Sequence, residues 1–302
     1  MPIPKRFKER YAALVDDEDA FFSCLESLQP RSFRVNTLKS TRERVIERFK
    51  GYGIPLKHVP WYRDAFISEE FDVGATFEHF TGEIYVQELV SMLPPLLVEK
   101  ELQDAKAVLD GCAAPGSKTT QLAAMMGNRG LIVANDISYS RIKALKFNQE
   151  KTGAVNTVIT NIDMRNFPRA QFDVVILDAP CSAEGTMRKS YGVSSLWSER
   201  HIRSLARMQK QLITKGFDLL SPGGVMVYST CTFAPEENEA VVHHLLEERD
   251  AEMQGISIPG LRLSKTVEEW EGQAFRPEVK EAVRIWPHHN DTGGFFLAKV
   301  GK

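Results

Sequence analysis

The stretch FDVVILDAPCS, Phe172–Ser182, decides the architecture of this 302-residue chain. Val174, Val175, Ile176 and Leu177 form an unbroken apolar run rich in β-branched residues. A run of this kind makes a strand buried on both faces, as in a parallel sheet covered by helices. Asp178 interrupts the run at the carboxyl end of the strand, where open α/β sheets bind their ligands, and Pro180 and Cys181 follow in the exit loop.

The flanking sequence repeats that alternation. Upstream, AVLDG (Ala107–Gly111), LIVAND (Leu131–Asp136) and NTVIT (Asn156–Thr160) read as strands, with helices over Ser117–Met126 and Ser138–Thr152 between them. Downstream, an irregular stretch to about Leu196 leads to a helix near Glu199–Leu220 and a strand in SPGGVMVYST (Ser221–Thr230). A helix over Glu236–Arg249 and two strands, AVRIWP and GGFFLAKV, close the chain. Strands alternating with helices predict an α/β protein with a doubly wound, mostly parallel sheet, and the last two strands predict an antiparallel edge hairpin.

The amino-terminal part follows another pattern. Tyr11–Leu28 reads as one helix closed by Pro30, and SFRVNTLK (Ser32–Lys39) alternates as a strand does. Thr41 is an N-cap for a helix over Arg42–Tyr52 that Gly53 and Pro55 end, and Leu56–Val59 suits a second short strand. Gly82–Val98 reads as a buried helix that Pro94 and Pro95 bend or split. The pattern predicts a small α+β region over residues 1–75, RRM-like, and a main domain over 76–302.

With 43% hydrophobic and 26% charged residues, the chain can bury a sizeable core. It has no apolar stretch of bilayer length, and MPIPKRFKER lacks the apolar segment of a secretory signal, which points to the cytoplasm and away from a membrane. Cys24, Cys112, Cys181 and Cys231 are widely spaced, so neither a zinc site nor a disulfide framework is indicated. The net charge of −2 is unevenly spread: residues 1–60 carry a balance of +4, making the amino-terminal part the better candidate for a phosphate-contacting face. A strand carrying Arg34 and Asn36 beside a basic helix could hold RNA; a solvent-facing polar edge is the other reading.

The turn LDGCAAPGSKTTQLA (Leu109–Ala123) identifies the ligand class. It places Ser117 between Gly116 and Lys118, one residue too many for a phosphate loop, and it lacks GxGxxG. Asp110 at a strand end and Lys118 at a helix start instead suit an amino-acid moiety, its ammonium toward Asp110 and its carboxylate toward the helix amino terminus. Cys112, Ala113, Ala114, Pro115, Gly116 and Ser117 form the loop around it. Asp136 closes the next strand, where a carboxylate can accept both ribose hydroxyls, and Asp163 lies within reach of an adenine; Arg141 is counted with this set. Together these residues describe a site for S-adenosylmethionine, with Asp178 where the methyl would point, on a Rossmann-like class I methyltransferase fold of seven strands.

The accepting atom is read from the thiols. Amino-group methyltransferases place an aromatic residue after Asp-Pro-Pro at this strand end, whereas here the sequence is DAPC. A thiol suggests carbon 5 of a pyrimidine, a poor nucleophile until a thiolate adds at carbon 6. Cys231 follows the strand VMVYST directly, and adjacent strand ends would bring it and Cys181 to opposite sides of one pocket. Either cysteine alone could equally be an inert buried thiol.

The motifs DGCAAPGSKT, LDAPCS, YSTCTFAPEENE, FRVNTLK and RIWPHHNDTGGFF resemble the motif set of the Nop/Sun (RsmB-like) family of RNA cytosine carbon-5 methyltransferases, from about Ser32 to the carboxyl end. The resemblance implies that Cys231 is the nucleophile, that Cys181 helps release the product, and that Asp178 and Lys118 balance charge on the base. It implies no metal, an RNA-binding amino-terminal region with Arg34 and Asn36 in its FRVNT motif, and a position near the substrate for the HHNDTGG loop, His288–Gly294. With no PUA-like module evident, the chain resembles compact archaeal members that modify tRNA; rRNA is the alternative substrate, and a monomer is expected. A non-catalytic RNA-binding assembly factor and a P-loop nucleotidase are the rival classes.

Overall fold

A computed structural model describes residues 3–68, 71–190 and 192–302. In chain order the strands are β1 (Arg31–Val35), β2 (Lys57–His58), β3 (Ala65–Ser68), β4 (Ile84–Val86), β5 (Ala107–Asp110), β6 (Leu131–Asn135), β7 (Thr157–Thr160) and β8 (Phe172–Asp178). They continue with β9 (Leu220–Thr230), β10 (Glu252–Gln254), β11 (Glu269–Trp270), β12 (Gln273–Ala274), β13 (Val283–Ile285) and β14 (Phe295–Gly301). The helices are α1 (Lys5–Tyr11), α2 (Glu18–Glu26), α3 (Arg42–Gly51), α4 (Phe77–Thr81), α5 (Leu93–Leu96) and α6 (Ser117–Met125). The remaining helices are α7 (Tyr139–Thr152), α8 (Gly192–Leu196), α9 (Glu199–Asp218), α10 (Glu239–Glu248) and α11 (Pro287–Asn290).

The main sheet runs in the order β10-β14-β9-β8-β5-β6-β7, with β13 also paired to β14. Strands β8, β5, β6 and β7 are parallel, as the apolar run in β8 predicts, and Val174, Val175, Ile176 and Leu177 are all fully buried. Six strands of this line together with β13 are the seven expected, and β10 makes an eighth. The closing strands are antiparallel as expected, and β13 shares the sheet edge beside β14 with β10: β13 pairs with Phe295–Leu297 and β10 with Lys299–Gly301. The sequence EMQ of β10 carries too little apolar pattern to announce that strand.

The chain divides into two compact units. One comprises Pro30–Ile176 and Leu219–Val225. Its antiparallel sheet β2-β3-β1-β4 packs Phe33, Val35 and Phe66 against Val45 and Phe49 of α3, and Thr41 caps that helix by accepting from the Arg44 N–H. This small sheet extends to Val86, past residue 75.

The opposite face of β1 differs from both sequence readings. Arg34 and Asn36 are neither RNA-facing nor a wet edge; both are fully buried. The Arg34 guanidinium donates to Gln87 Oε1 (2.8 Å), the Ser117 carbonyl (3.0 Å) and Thr120 Oγ1 (2.7 Å). Asn36 Nδ2 donates to the carbonyls of Gly82 and Thr152, each at 2.8 Å. The polar residues of FRVNT thereby tie β1 to the first turn of α6 and to the last residue of α7.

Gly82–Val98 is not one helix. Gly82 ends α4 in the left-handed conformation (φ 77°), and a Cβ there would lie 2.2 Å from the Lys151 carbonyl oxygen. Ile84–Val86 then pairs with β1, and helix resumes at Leu93–Leu96, where the two prolines occupy the first turn, whose N–H groups need no helical partner.

The other unit comprises Met1–Gln29, Leu177–Asp218 and Met226–Lys302. The helix expected over Tyr11–Leu28 is two helices, because Asp17 accepts from the Ala20 N–H (2.9 Å) and starts α2 afresh. Phe7, Tyr11, Phe21, Phe233 and Trp286 form its aromatic core. Three backbone segments lie in direct contact: Gly185 N–H donates to the Cys231 carbonyl (2.8 Å) and Gly294 N–H to the Gly185 carbonyl (3.0 Å). A Cβ on Gly185 would fall 2.2 Å from the Gly294 carbonyl oxygen, and one on Gly294 would fall 2.0 Å from the Phe233 ring.

Candidate active site

The residues read from the sequence as cofactor-binding, Asp178 aside, belong to the first unit. β5 ends on Asp110, which is fully buried and accepts from Thr119 Oγ1 at 2.6 Å, so the first turn of α6 is tied to the strand end. Gly116 starts α6 with φ 105°, and a Cβ there would lie 2.9 Å from Leu145 Cδ1, so both conformation and space call for glycine. Lys118, in that first turn, is 4% exposed. Of the loop between, Ala113 and Ala114 are buried and Cys112 is partly exposed.

Asp136, 2% exposed just past β6, steadies the same loop. Its Oδ2 accepts from the Ala114 N–H (3.1 Å) and its Oδ1 from the Ser138 N–H (2.8 Å). Arg141 pairs with Asp136 at 3.4 Å and donates to the Ala114 carbonyl. A carboxylate oxygen has two lone-pair sites, so Asp136 keeps capacity for a ribose diol. Asp163 stands apart, capping a short turn and held by Arg165 at 2.6 Å, which lowers its pKa. A buried acid, a buried cation at a helix start and a second carboxylate with spare acceptors match the charge and hydroxyl pattern of S-adenosylmethionine.

Asp178, Cys181 and Cys231 belong to the second unit. Asp178 closes β8 and accepts from Ser229 Oγ at 2.7 Å. The two thiols do not face each other across a pocket; Cys181 Sγ and Cys231 Sγ are in contact at 3.3 Å, both partly buried and unbonded. The hydrogen bond to Cys231, burial and the charge of Glu237 together push the Cys181 thiol well above its ordinary pKa. Cys181 is therefore a poor source of a thiolate at neutral pH.

Beneath the thiols lies a polar layer that the sequence reading missed. Glu184, fully buried, accepts from Tyr11 Oη (2.7 and 2.8 Å), Trp197 Nε1 (2.5 Å), Thr232 Oγ1 (2.7 Å) and the Phe233 N–H (3.0 Å). Glu237, also fully buried, contacts Ser182 Oγ (2.5 Å) and accepts from the Ser182 N–H (3.0 Å) and Gln209 Nε2 (2.8 Å). The acids of APEENE, directly after a cysteine and before an apolar helix, are the signal that could have flagged it.

The side chains of His288 and His289 are turned toward Asp16. Both side chains are buried on α11 and bond to Asp16, at 2.9 and 2.8 Å, which fastens the turn before α2 to the carboxyl-terminal motif.

The family described as 16S rRNA methyltransferase RsmB/F matches residues 97–301, and the N-terminal domain of 16S rRNA methyltransferase RsmF matches residues 3–89. The chain belongs to the RsmB/F family. This RsmB/F protein is 39% identical to a tRNA (cytosine(49)-C(5))-methyltransferase of Pyrococcus abyssi, over 99% of this chain and 96% of that one. It is 40% identical to ribosomal RNA small subunit methyltransferase F of Vibrio campbellii, over 99% of this chain but 63% of the longer relative. A methyltransferase homolog from Pyrococcus horikoshii of known structure superposes with a TM-score of 0.82 at 31% identity, over 99% of this chain and 100% of that one. The reaction of the RsmB/F protein is methylation of cytosine carbon 5 in RNA, and its cofactor is S-adenosylmethionine. Among the described residues, no helix is long and apolar enough to cross a membrane.

Proposed function

We propose that the protein methylates cytosine in tRNA, with Cys231 as nucleophile and Cys181 as the group that ends the reaction. The observation that carries this reading is the contact of the two thiols at 3.3 Å, and the division of roles between them is the one that the family motifs imply. The full-length likeness to the Pyrococcus tRNA enzyme supports tRNA as substrate. Ribosomal RNA is the second reading, favoured by the match of residues 3–89 to the RsmF amino-terminal domain.

In the proposed sequence the Cys231 thiolate bonds to cytosine carbon 6, and the carbon 5–carbon 6 electron pair shifts onto carbon 5 and the ring. Asp178 and Lys118 balance the charge that develops on the base. When bound, S-adenosylmethionine would supply an electrophilic methyl group, so that carbon 5 gains the methyl as its bond to sulfur breaks and S-adenosylhomocysteine leaves. The proton on carbon 5 then leaves to a water that Cys181 positions, the bond from Cys231 to carbon 6 breaks, and the aromatic ring and the thiolate are restored.

Asp110, the loop Cys112–Ser117, Lys118, Asp136, Arg141 and Asp163 are the proposed cofactor contacts. RNA contact by the amino-terminal region falls to exposed cations such as Arg44 and Lys50 instead of the buried Arg34 and Asn36. We place the enzyme in the cytoplasm as a monomer.

The test is incubation with tritiated S-adenosylmethionine and separate tRNA and rRNA pools, followed by mapping of 5-methylcytosine. Cys231→Ala is expected to abolish transfer and Cys181→Ala to accumulate an RNA adduct that survives denaturing gels. An adduct trapped by Cys231→Ala would exchange the two roles.

A further inference from the structure

The polar layer under the thiols contains a proton that no hydroxyl can supply. Ser182 Oγ is 2.5 Å from Glu237 Oε1, Ser182 Oγ is 2.7 Å from Thr232 Oγ1, and Thr232 Oγ1 is 2.7 Å from Glu184 Oε2. Three contacts between oxygens at these distances need three protons, since two lone pairs facing each other repel. The two hydroxyls provide one proton each. The third must sit on one of the carboxyl groups.

The donors around each acid decide which. Glu184 is surrounded by groups that can only donate to it or do so here: the Tyr11 hydroxyl, the Trp197 indole N–H and the Phe233 N–H. Both Glu184 oxygens already accept from these groups, which leaves Glu237 the better placed to give the proton. Glu237 has its fixed donors on Oε2, from the Ser182 and Gln209 N–H groups, which leaves Oε1 to carry the proton toward Ser182. The Gln209 amide is oriented independently, because its Nε2 also donates to the Pro180 carbonyl at 2.8 Å.

The neighbouring charges agree with this direction. The charge of Glu184 disfavours a second negative charge on Glu237, and a charge on Glu237 would in turn raise the Cys181 thiol. The nearest acids in sequence are already matched, Glu236 by Arg10 and Glu239 by Arg284. Burial is the main cause that pushes the Glu237 pKa up to about 7, with the charge of Glu184 adding to it.

We infer that Glu237 is a neutral carboxylic acid at the head of a directed chain, Glu237 to Ser182 to Thr232 to Glu184, and that this chain is a positioning device for the two cysteines. Ser182 follows Cys181 and Thr232 follows Cys231, so the chain clamps both cysteine loops through the residue next to each thiol. Loss of the proton leaves one contact without hydrogen and adds charge beside Cys181, and the loops lose their common register. The inference builds on the proposed roles of the two cysteines, but its proton is measurable without them.

The experiment compares the full-length protein with Glu237→Gln and Glu237→Ala. Infrared spectroscopy at about pH 6, below the Glu237 pKa, is expected to show a protonated carboxylic acid band that Glu237→Gln removes. Alkylation of the thiols against pH is expected to show a step near pH 7 that is absent in Glu237→Gln. Glu237→Ala is expected to lower kcat about 100-fold while KM for S-adenosylmethionine stays within about twofold, the pattern of misplaced reacting groups. An acid band unaffected by Glu237→Gln, or identical alkylation profiles in both proteins, overturns the inference. Should Cys231→Ala retain transfer while the acid band behaves as described, the cysteine roles fail and the protonated acid stands.

Discussion

Cys181 Sγ rests 3.3 Å from Cys231 Sγ, close enough to touch and too far to be bonded. A disulfide needs the sulfurs at about 2.05 Å, so only a small loop adjustment separates the two states. A stoichiometric peroxide is expected to join them, the thiols giving two electrons and two protons as the peroxide becomes water. The product should show one intramolecular Cys181–Cys231 peptide by mass spectrometry and no methyl transfer, with activity returning on addition of dithiothreitol. Peroxide that leaves both thiols free to alkylation would contradict this geometry.

Arg284 and Glu239 form a second pair whose removal should be felt. Both are buried, the guanidinium donates twice to the carboxylate at 2.6 Å, and it also reaches the Phe233 carbonyl at 2.8 Å. Taking away one partner leaves a buried charge uncompensated, which costs about 3–5 kcal/mol. Glu239→Ala should therefore lower the denaturant midpoint steeply, whereas an exposed pair such as Lys146 with Glu150 should change it by under about 1 kcal/mol when broken.

The buried Arg34 predicts a coupled loss of stability and cofactor affinity. Its bonds to the Ser117 carbonyl and Thr120 Oγ1 hold the start of α6, the helix that carries Lys118. Arg34→Ala leaves these acceptors and Gln87 Oε1 unmatched, a change of about 2–4 kcal/mol. Calorimetric titration with S-adenosylhomocysteine should show weakened binding, and RNA affinity should fall no more than cofactor affinity does. A selective loss of RNA affinity would restore the RNA-contacting role.

Glu237 also sets a pH dependence of folding. The unfolded chain releases this proton near pH 4.5, whereas the folded chain keeps it until about pH 7. Between those values the folded state binds more protons, so its stability falls as pH rises, by up to about 3 kcal/mol for this group, and is flat above the window. Glu237→Gln cannot ionise. Relative to wild type it should gain stability between about pH 5 and pH 8, as read from urea midpoints at each pH.

The parallel strands and their terminal acids were legible because each strand is a compact apolar run and each acid breaks it: Asp110, Asp136 and Asp178 lie at the ends of β5, β6 and β8 as read. Arg34 and Asn36 were misread because alternation tells which residues share a face but not what covers it. The partners of that face, Thr120 and Thr152, are more than eighty residues away. The break between α1 and α2 had a local signal in Asp17, outweighed by the apolar stripe on either side of it. The layer of Glu184 and Glu237 was hidden for another reason: a buried acid looks like a surface acid until its donors, here from Tyr11 to Gln209, are assembled around it.

The stacked backbones of Gly185, Cys231 and Gly294 make three distant motifs a single unit of exchange. Because no side chain fits between these layers, the spacing of any one is fixed by the other two. A chimera that imports the DAPCSAEG or TCTF segment from a relative with a different layer thickness should fail unless the GGFF segment travels with it. For engineering purposes the cysteine loops and the carboxyl-terminal glycines are one part in three pieces, and diversity for a new RNA target is better introduced elsewhere.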